Sequence, residues 1–239
     1  MSFDPEAFFT LHRDLSREGP GEPADVAWAA ALAKLSPKAV VGDVACGPGG
    51  DIAALLDAAP QGHVTALDKT PHFVDTARNA WRGDDRVTVL RADMARVANQ
   101  YDMIWCAGAV YFLGVTQALQ AWRKSLTKSG VIAFSEPCWF TDDRSAEAQA
   151  NWAEYPAMTD TAGIAAKVEA AGYEMLGTRA LSDAAWEAYY SPVDARIAML
   201  RGTGDAALET VLDEAEAEAA CWRANRASFG YLLCVVRPA

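Results

Sequence analysis

The residues richest in chemical possibility lie together in Asp43-Val44-Ala45-Cys46-Gly47-Pro48-Gly49-Gly50-Asp51. Val40, Val41 and Val44 favour an extended strand, and an apolar run bounded by glycine suits a parallel strand buried on both faces. Gly47 and Gly49 accept positive φ and leave no Cβ between backbone and ligand. A helix opening at Ile52 turns its free N–H groups and positive dipole end toward that turn. The combination is a cofactor-binding first β–α turn. Further acids fall where apolar runs end: Asp68, Asp93 and Glu136. Asp68 follows the glycines by about 20 residues, where doubly wound nucleotide binders set an acid on the ribose hydroxyls. The ordinary alternative for a strand-end carboxylate is a cap on the next helix. A dinucleotide fingerprint G-x-G-x-x-G fails at Ile52, and no G-x-x-x-x-G-K-[S/T] phosphate loop occurs.

The elements that position these groups alternate along the chain. Strands are predicted at 40–44, 63–68, 86–91, 101–108, 131–137, 173–178 and 229–236. Thr70-Pro71 supplies an N-cap and an N1 proline for a helix through Trp81. Val115, Leu119, Trp122 and Leu126 recur at helical spacing, with Lys128-Ser129-Gly130 as the C-cap. A helix over 161–171 precedes the sixth strand. Trp186, Tyr190, Val193, Ile197 and Leu200 then predict a helix interrupted at Ser191-Pro192. A second helix carries Leu208, Val211, Leu212, Ala215 and Trp222 inward, with Asp213, Glu214, Glu216 and Glu218 mostly outward as a solvated face. Ahead of the first strand stand Phe3, Phe8, Phe9 and His12, a Gly19-Pro20-Gly21 turn, and a helix at 24–35; the aromatic leader is either a lid or a packed helix. The fold class is α/β, a doubly wound, seven-stranded, mostly parallel sheet with a helical insertion before the last strand. One domain spans 1–239: leader 1–35, core 36–180, insertion and substrate cap 181–226, last strand 227–239.

Asp43-x-Ala45-Cys46-Gly47-x-Gly49 resembles motif I of the class I S-adenosylmethionine-dependent methyltransferases, D-x-G-C-G-x-G, with Ala45 in place of the first glycine. Tyr101-Asp102-Met103-Ile104 resembles the same family's fourth strand. Arg17-Glu18-Gly19-Pro20-Gly21 and Trp186-x-x-Tyr189-Tyr190-x-Pro192 resemble its small-molecule branch. The resemblance implies S-adenosyl-L-methionine as cofactor, held by Arg17 on the methionine carboxylate, by Asp43, Ala45, Gly47, Gly49, Asp68 and Lys69, by Asp93 and Met94 on the adenine, and by Cys106. It also implies in-line methyl transfer to a small-molecule acceptor. Tyr111 and Phe112 are placed to line the methyl channel, and Trp139, Trp152 and Tyr190 to contact the acceptor. Glu136, His12 and Tyr190 are the candidate bases, Glu136 first because strand carboxyl ends face the crevice of an open α/β sheet. For Glu136 a simple cap, and for most aromatics of 139–190 a small second core, are the ordinary alternatives.

The bulk properties fit. A net charge of −11 repels nucleic acid and anionic membrane, and no apolar run reaches the roughly 18 residues of a spanning helix. Cys106-Ala107-Gly108-Ala109 stands where amino-group nucleic-acid methylators carry N-P-P-[Y/F]. Five scattered cysteines predict reduced thiols in a cytoplasmic protein, and no metal site is expected from them or from three histidines. A homodimer is compatible with the sequence. The alternative function is a methyltransferase-fold subunit that binds the cofactor without catalysis; an NAD-dependent oxidoreductase is disfavoured by Ile52.

Overall fold

The computed structural model describes residues 4–239; Phe3 lies outside them. The chain runs α1 (Pro5–His12), α2 (Pro23–Ala33), β1 (Val40–Val44), α3 (Ile52–Ala58), β2 (His63–Asp68), α4 (Pro71–Ala80), β3 (Val87–Arg91), β4 (Tyr101–Cys106), α5 (Val115–Trp122), β5 (Leu126–Trp139), α6 (Ala146–Asn151), β6 (Thr159–Asp160), α7 (Thr161–Ala170), β7 (Tyr173–Ala180), α8 (Asp183–Leu200), α9 (Ala206–Asn225) and β8 (Phe229–Pro238). The strands form one sheet in the order β3-β2-β1-β4-β5-β8-β7, with two-residue β6 attached to β5. β8 is antiparallel to β5 and β7, and the other pairs are parallel. All seven expected strands are present; β6 is an addition. The order reverses direction between β1 and β4, and such a switch point opens a crevice at the strands' carboxyl ends.

The two faces of the sheet are covered differently. Val26, Ala29, Ile52 and Leu55 from α2 and α3 share one buried cluster with Trp186, Tyr190 and Trp222 from α8 and α9. Val115, Leu119 and Trp122 of α5 pack with Ile164 and Val168 of α7 on the other. A third cluster joins Ala7, Leu11 and Leu15 of the leader to Val193 and Ile197 of α8 and Leu208 and Leu212 of α9. The leader is therefore a packed helix that roofs the insertion. Among the described residues, no helix is long and apolar enough to cross a membrane.

Three local expectations are corrected. Leu126 does not extend α5, which closes in a short 3-10 turn at Arg123–Ser125, and β5 begins at Leu126. Ser125 Oγ donates to the Val97 carbonyl at 2.8 Å, fixing that turn, and Lys128-Ser129-Gly130 fall in a register shift of β5 against β4 rather than in a C-cap. Ser191-Pro192 does not start a new helix, because α8 is continuous with Pro192 inside it. On α9, Asp213 and Glu216 pair with Arg201 as a surface network; Glu214 and Glu218 are exposed as expected, but the surface they reach is that of the open cavity.

Candidate active site

The glycine turn is built as its composition requires. Gly47 has φ of 53° and Gly49 of 93°, and Ala45, a residue with a Cβ, is also left-handed at 59°. The Cys46 amide donates to the Leu67 carbonyl at 3.0 Å, tying the turn to the end of β2. Asp68 then serves two donors: Oδ2 accepts from the Gly47 amide at 3.1 Å and Oδ1 from the Thr70 amide at 2.7 Å. It therefore both locks the turn and caps the next segment, and each carboxylate oxygen retains a lone pair for a further donor. Thr70 is the N-cap of α4 by backbone position, but its side chain makes no capping bond.

Above the turn lies a cavity of about 1990 Å³. Its wall includes Asp43, Ala45, Cys46, Gly47, Asp68, Lys69, Asp93 and Met94 at the strand ends, His12, Arg17 and Glu18 of the leader, and Tyr111, Phe112, Trp152, Tyr155, Tyr189, Tyr190 and Tyr231. Asp43 is almost wholly buried, and its Oδ2 has no hydrogen-bond partner. Burial, then the neighbouring carboxylates of Asp51 and Asp68, push its pKa well up. Asp93 Oδ1 accepts from the Ala95 amide at 2.8 Å, so this side chain is a helix cap as well as part of the wall. Trp122 Nε1 donates to the Met94 carbonyl at 2.7 Å, which fixes Met94 in place.

Several predicted site residues stand elsewhere. Arg17 lines the cavity, but its guanidinium donates to Asp51 and to the Gly21 carbonyl, so it carries an internal counterion. Asp51 also accepts from Trp105 Nε1 at 2.9 Å. Cys106 is fully buried and forms no part of the wall, because β4 ends there and Ala107 and Gly108 turn into the cavity instead. Gly49 likewise sits behind the wall, packed toward Ile52 and Ala77. Trp139 is core: it meets Phe229 edge-on at 5.9 Å, Arg144 lies 4.7 Å over its ring, and it borders a separate depression of about 260 Å³. Phe112 is on the rim, 67% exposed, with Lys69 Nζ 5.8 Å from its ring centre.

Of the candidate bases, Glu136 is fully buried and does not border the cavity. Tyr155, which does, donates to its Oε1 at 2.6 Å, and Oε2 has no partner. Burial raises the Glu136 pKa to about 7, opposed by the Tyr155 bond. His12 is in the wall: Nδ1 lies 2.6 Å from Glu18 Oε2, and its ring stacks on Phe8 at 3.9 Å. Burial pushes the Glu18 pKa up against the pull of His12. Tyr190 donates to Glu218 Oε1 at 2.9 Å. Glu218 is open to the cavity yet surrounded by protein, and that desolvation raises its pKa. Glu18, Glu218 and the Glu136–Tyr155 pairing escape the sequence reading because their meeting depends on how leader, insertion and connector pack.

The geometry is an open α/β sheet with a glycine turn, strand-end acids and a capped cavity at its switch point, which defines a nucleotide-cofactor site with room for a second ligand. Residues 41–130 match the family model of the methyltransferase domain. A trans-aconitate 2-methyltransferase from Streptomyces avermitilis is 28% identical over 195 residues, covering 75% of this chain and 72% of that protein. A SAM-dependent methyltransferase from Geobacter sulfurreducens, solved with S-adenosyl-L-homocysteine, aligns over 100% of both chains with a TM-score of 0.82 and 19% identity. One from Thiobacillus denitrificans, also with S-adenosyl-L-homocysteine, gives 0.81 and 20% over 100% of both chains. Residues 41–130 carry a methyltransferase domain, and the whole chain has the fold of these S-adenosylmethionine-dependent methyltransferases.

Proposed function

We propose that the protein methylates a small-molecule acceptor held under the cap formed by α8, α9 and the leader. The observation that carries this reading is the single cavity running from the Asp68–Gly47 turn to the aromatic wall of the insertion. The name of the S. avermitilis relative, a trans-aconitate methyltransferase, supports an acceptor of metabolite size. Nothing in these similarities favours a non-catalytic subunit.

The residues present fit the cofactor. Asp43 offers a buried oxygen without a partner, and the turn sets Gly47 and Gly50 in the cavity wall with no side chain between backbone and ligand. In this reading Asp68 takes the ribose hydroxyls, Asp93 and the Met94 amide hold the adenine, and Asp43 faces the amino end of the methionine. Arg17, engaged by Asp51, clamps the leader over the turn. When bound, the cofactor supplies an activated sulfonium methyl group. The chain's own part is to orient the acceptor, exclude water beneath α1, and present electron-rich ring faces where positive charge lies. Tyr111 is suited to that last role. His12, paired with Glu18, is the wall residue best placed to accept a proton. Glu136 acts through Tyr155, whose hydroxyl it orients.

The reading includes a cytoplasmic protein, supported by five unpaired cysteines that a reducing compartment maintains. Titration calorimetry with S-adenosylhomocysteine tests it: wild type binds, and Asp68→Ala binds at least tenfold more weakly. Equal affinity of the two would remove Asp68 from the site, and a folded wild type that binds nothing would sink the cofactor assignment.

A further inference from the structure

The acceptor half of the cavity has a chemical character of its own. Tyr111 and Tyr155 have ring centres 5.6 Å apart, and Trp152 meets Tyr231 at 6.4 Å. Tyr231 in turn stacks on Trp186 at 5.2 Å and Trp186 on Tyr190 at 5.7 Å, so one run of rings leads from Trp152 to Tyr190, with the Tyr111–Tyr155 pair on the same cavity wall. Set in that wall is Glu218. One of its oxygens accepts from Tyr190, and among the described residues the carboxylate has no ion-pair partner and its second oxygen no hydrogen bond. Among the described residues, the only lysine and arginine side chains on the cavity wall are Lys69 and Arg17, both at the cofactor end; Arg17 already faces Asp51, and His12, also on the wall, is paired with Glu18. Arg223 lies 5.8 Å from the Tyr190 ring but outside the cavity, where it is bound by Glu187 and Asp194. The hydroxyls of Tyr111, Tyr189 and Tyr231 form no hydrogen bond with described residues and remain open to a ligand.

Electron-rich ring faces around an unpaired carboxylate recognise organic cations. A carboxylate ligand in the same place would meet Glu218 with no guanidinium or ammonium to offset the repulsion. Building on the methyltransferase reading, we propose that the acceptor carries an organic ammonium group, seated among the aromatic rings with its charge toward Glu218. Polycarboxylates are rejected, which separates this site from the tricarboxylate in the name of the S. avermitilis relative.

The test is calorimetric titration of the protein saturated with S-adenosylhomocysteine, using benzyltrimethylammonium, phenylacetate and citrate as probes. The ammonium is expected to bind at least tenfold more tightly than either anion. Glu218→Gln should lose at least tenfold in ammonium affinity while holding S-adenosylhomocysteine within about twofold, which shows that the variant is folded. Tighter binding of phenylacetate or citrate, an unaltered ammonium affinity in Glu218→Gln, or no ammonium binding by the saturated protein would overturn the inference and leave the methyltransferase reading standing. Failure of wild type to bind S-adenosylhomocysteine would instead overturn the underlying reading, and this inference with it.

Discussion

Ala45 shows what a residue's type leaves unsaid about its backbone. By sequence it is a small-for-small replacement of the first motif glycine. In the structure its φ is 59°, a backbone conformation that favours glycine. A left-handed residue with a Cβ costs roughly 1–2 kcal/mol, and the bonds of Cys46 to Leu67 and Gly49 to Cys46 hold it there. Ala45→Gly removes that strain but frees the unfolded chain by about 0.4–1 kcal/mol. The expected net gain is about 0.5–1 kcal/mol, or roughly 2 °C in Tm for a chain of this size. Differential scanning calorimetry decides it, and an unchanged or lower Tm would mean that the turn relaxes without penalty. Asp68 was legible at the same scale because its sequence distance from the glycines fixes its place in a βαβ unit. Glu18 and Glu218 were not, since a carboxylate on a helix or leader reads as solvated until its neighbours in space are known.

At the scale of elements, the strands were readable because β-branched runs between glycines and prolines leave few alternatives. The exceptions arise where tertiary packing overrides a local signal. Pro192 should end a helix, yet α8 continues from Asp183 to Leu200. The proline removes one helical hydrogen bond and crowds the carbonyl four residues back, at a cost of about 3 kcal/mol. Burial of Trp186, Tyr190, Val193 and Ile197 on both sides of it offsets that cost. Arg223 of α9 adds a brace, donating to Glu187 at 2.6 Å before the proline and to Asp194 at 2.8 Å after it. Pro192→Ala restores the missing donor in a conformation that alanine adopts freely, while the unfolded chain gains entropy. The variant should be more stable by about 1–2 kcal/mol, read as a higher midpoint in urea with an unchanged slope. A lower midpoint would show that the proline fits a bend the cap requires. The misread C-cap at Lys128-Ser129-Gly130 has a similar origin: turn-forming residues do serve a backbone irregularity, but inside β5.

For the molecule as a whole, acidity was legible in sum but not in placement. The charge of −11 argues against polyanionic partners, yet only the fold shows that carboxylates line the cavity and its floor. Glu136, Asp43 and Glu18 all have pKa values raised chiefly by burial. For Glu136 the folded value is about 7 against an ordinary 4.5. Between those values the folded protein keeps a proton that the unfolded chain has released. Its contribution to stability is therefore whole below about pH 4.5 and is lost as pH rises through 7. The full shift corresponds to about 3 kcal/mol, and Asp43 and Glu18 act in the same direction. Urea unfolding at pH 5 and pH 8 should accordingly show a protein less stable at the higher pH. Glu136→Gln keeps a carbonyl oxygen to accept from Tyr155 and carries no charge to desolvate. It should match wild type at pH 5 and exceed it at pH 8 by up to about 3 kcal/mol. Parallel profiles for the two proteins would show that Glu136 ionises in place with water or a counterion beside it, and its buried, unpartnered Oε2 could then not be the source of the pH dependence.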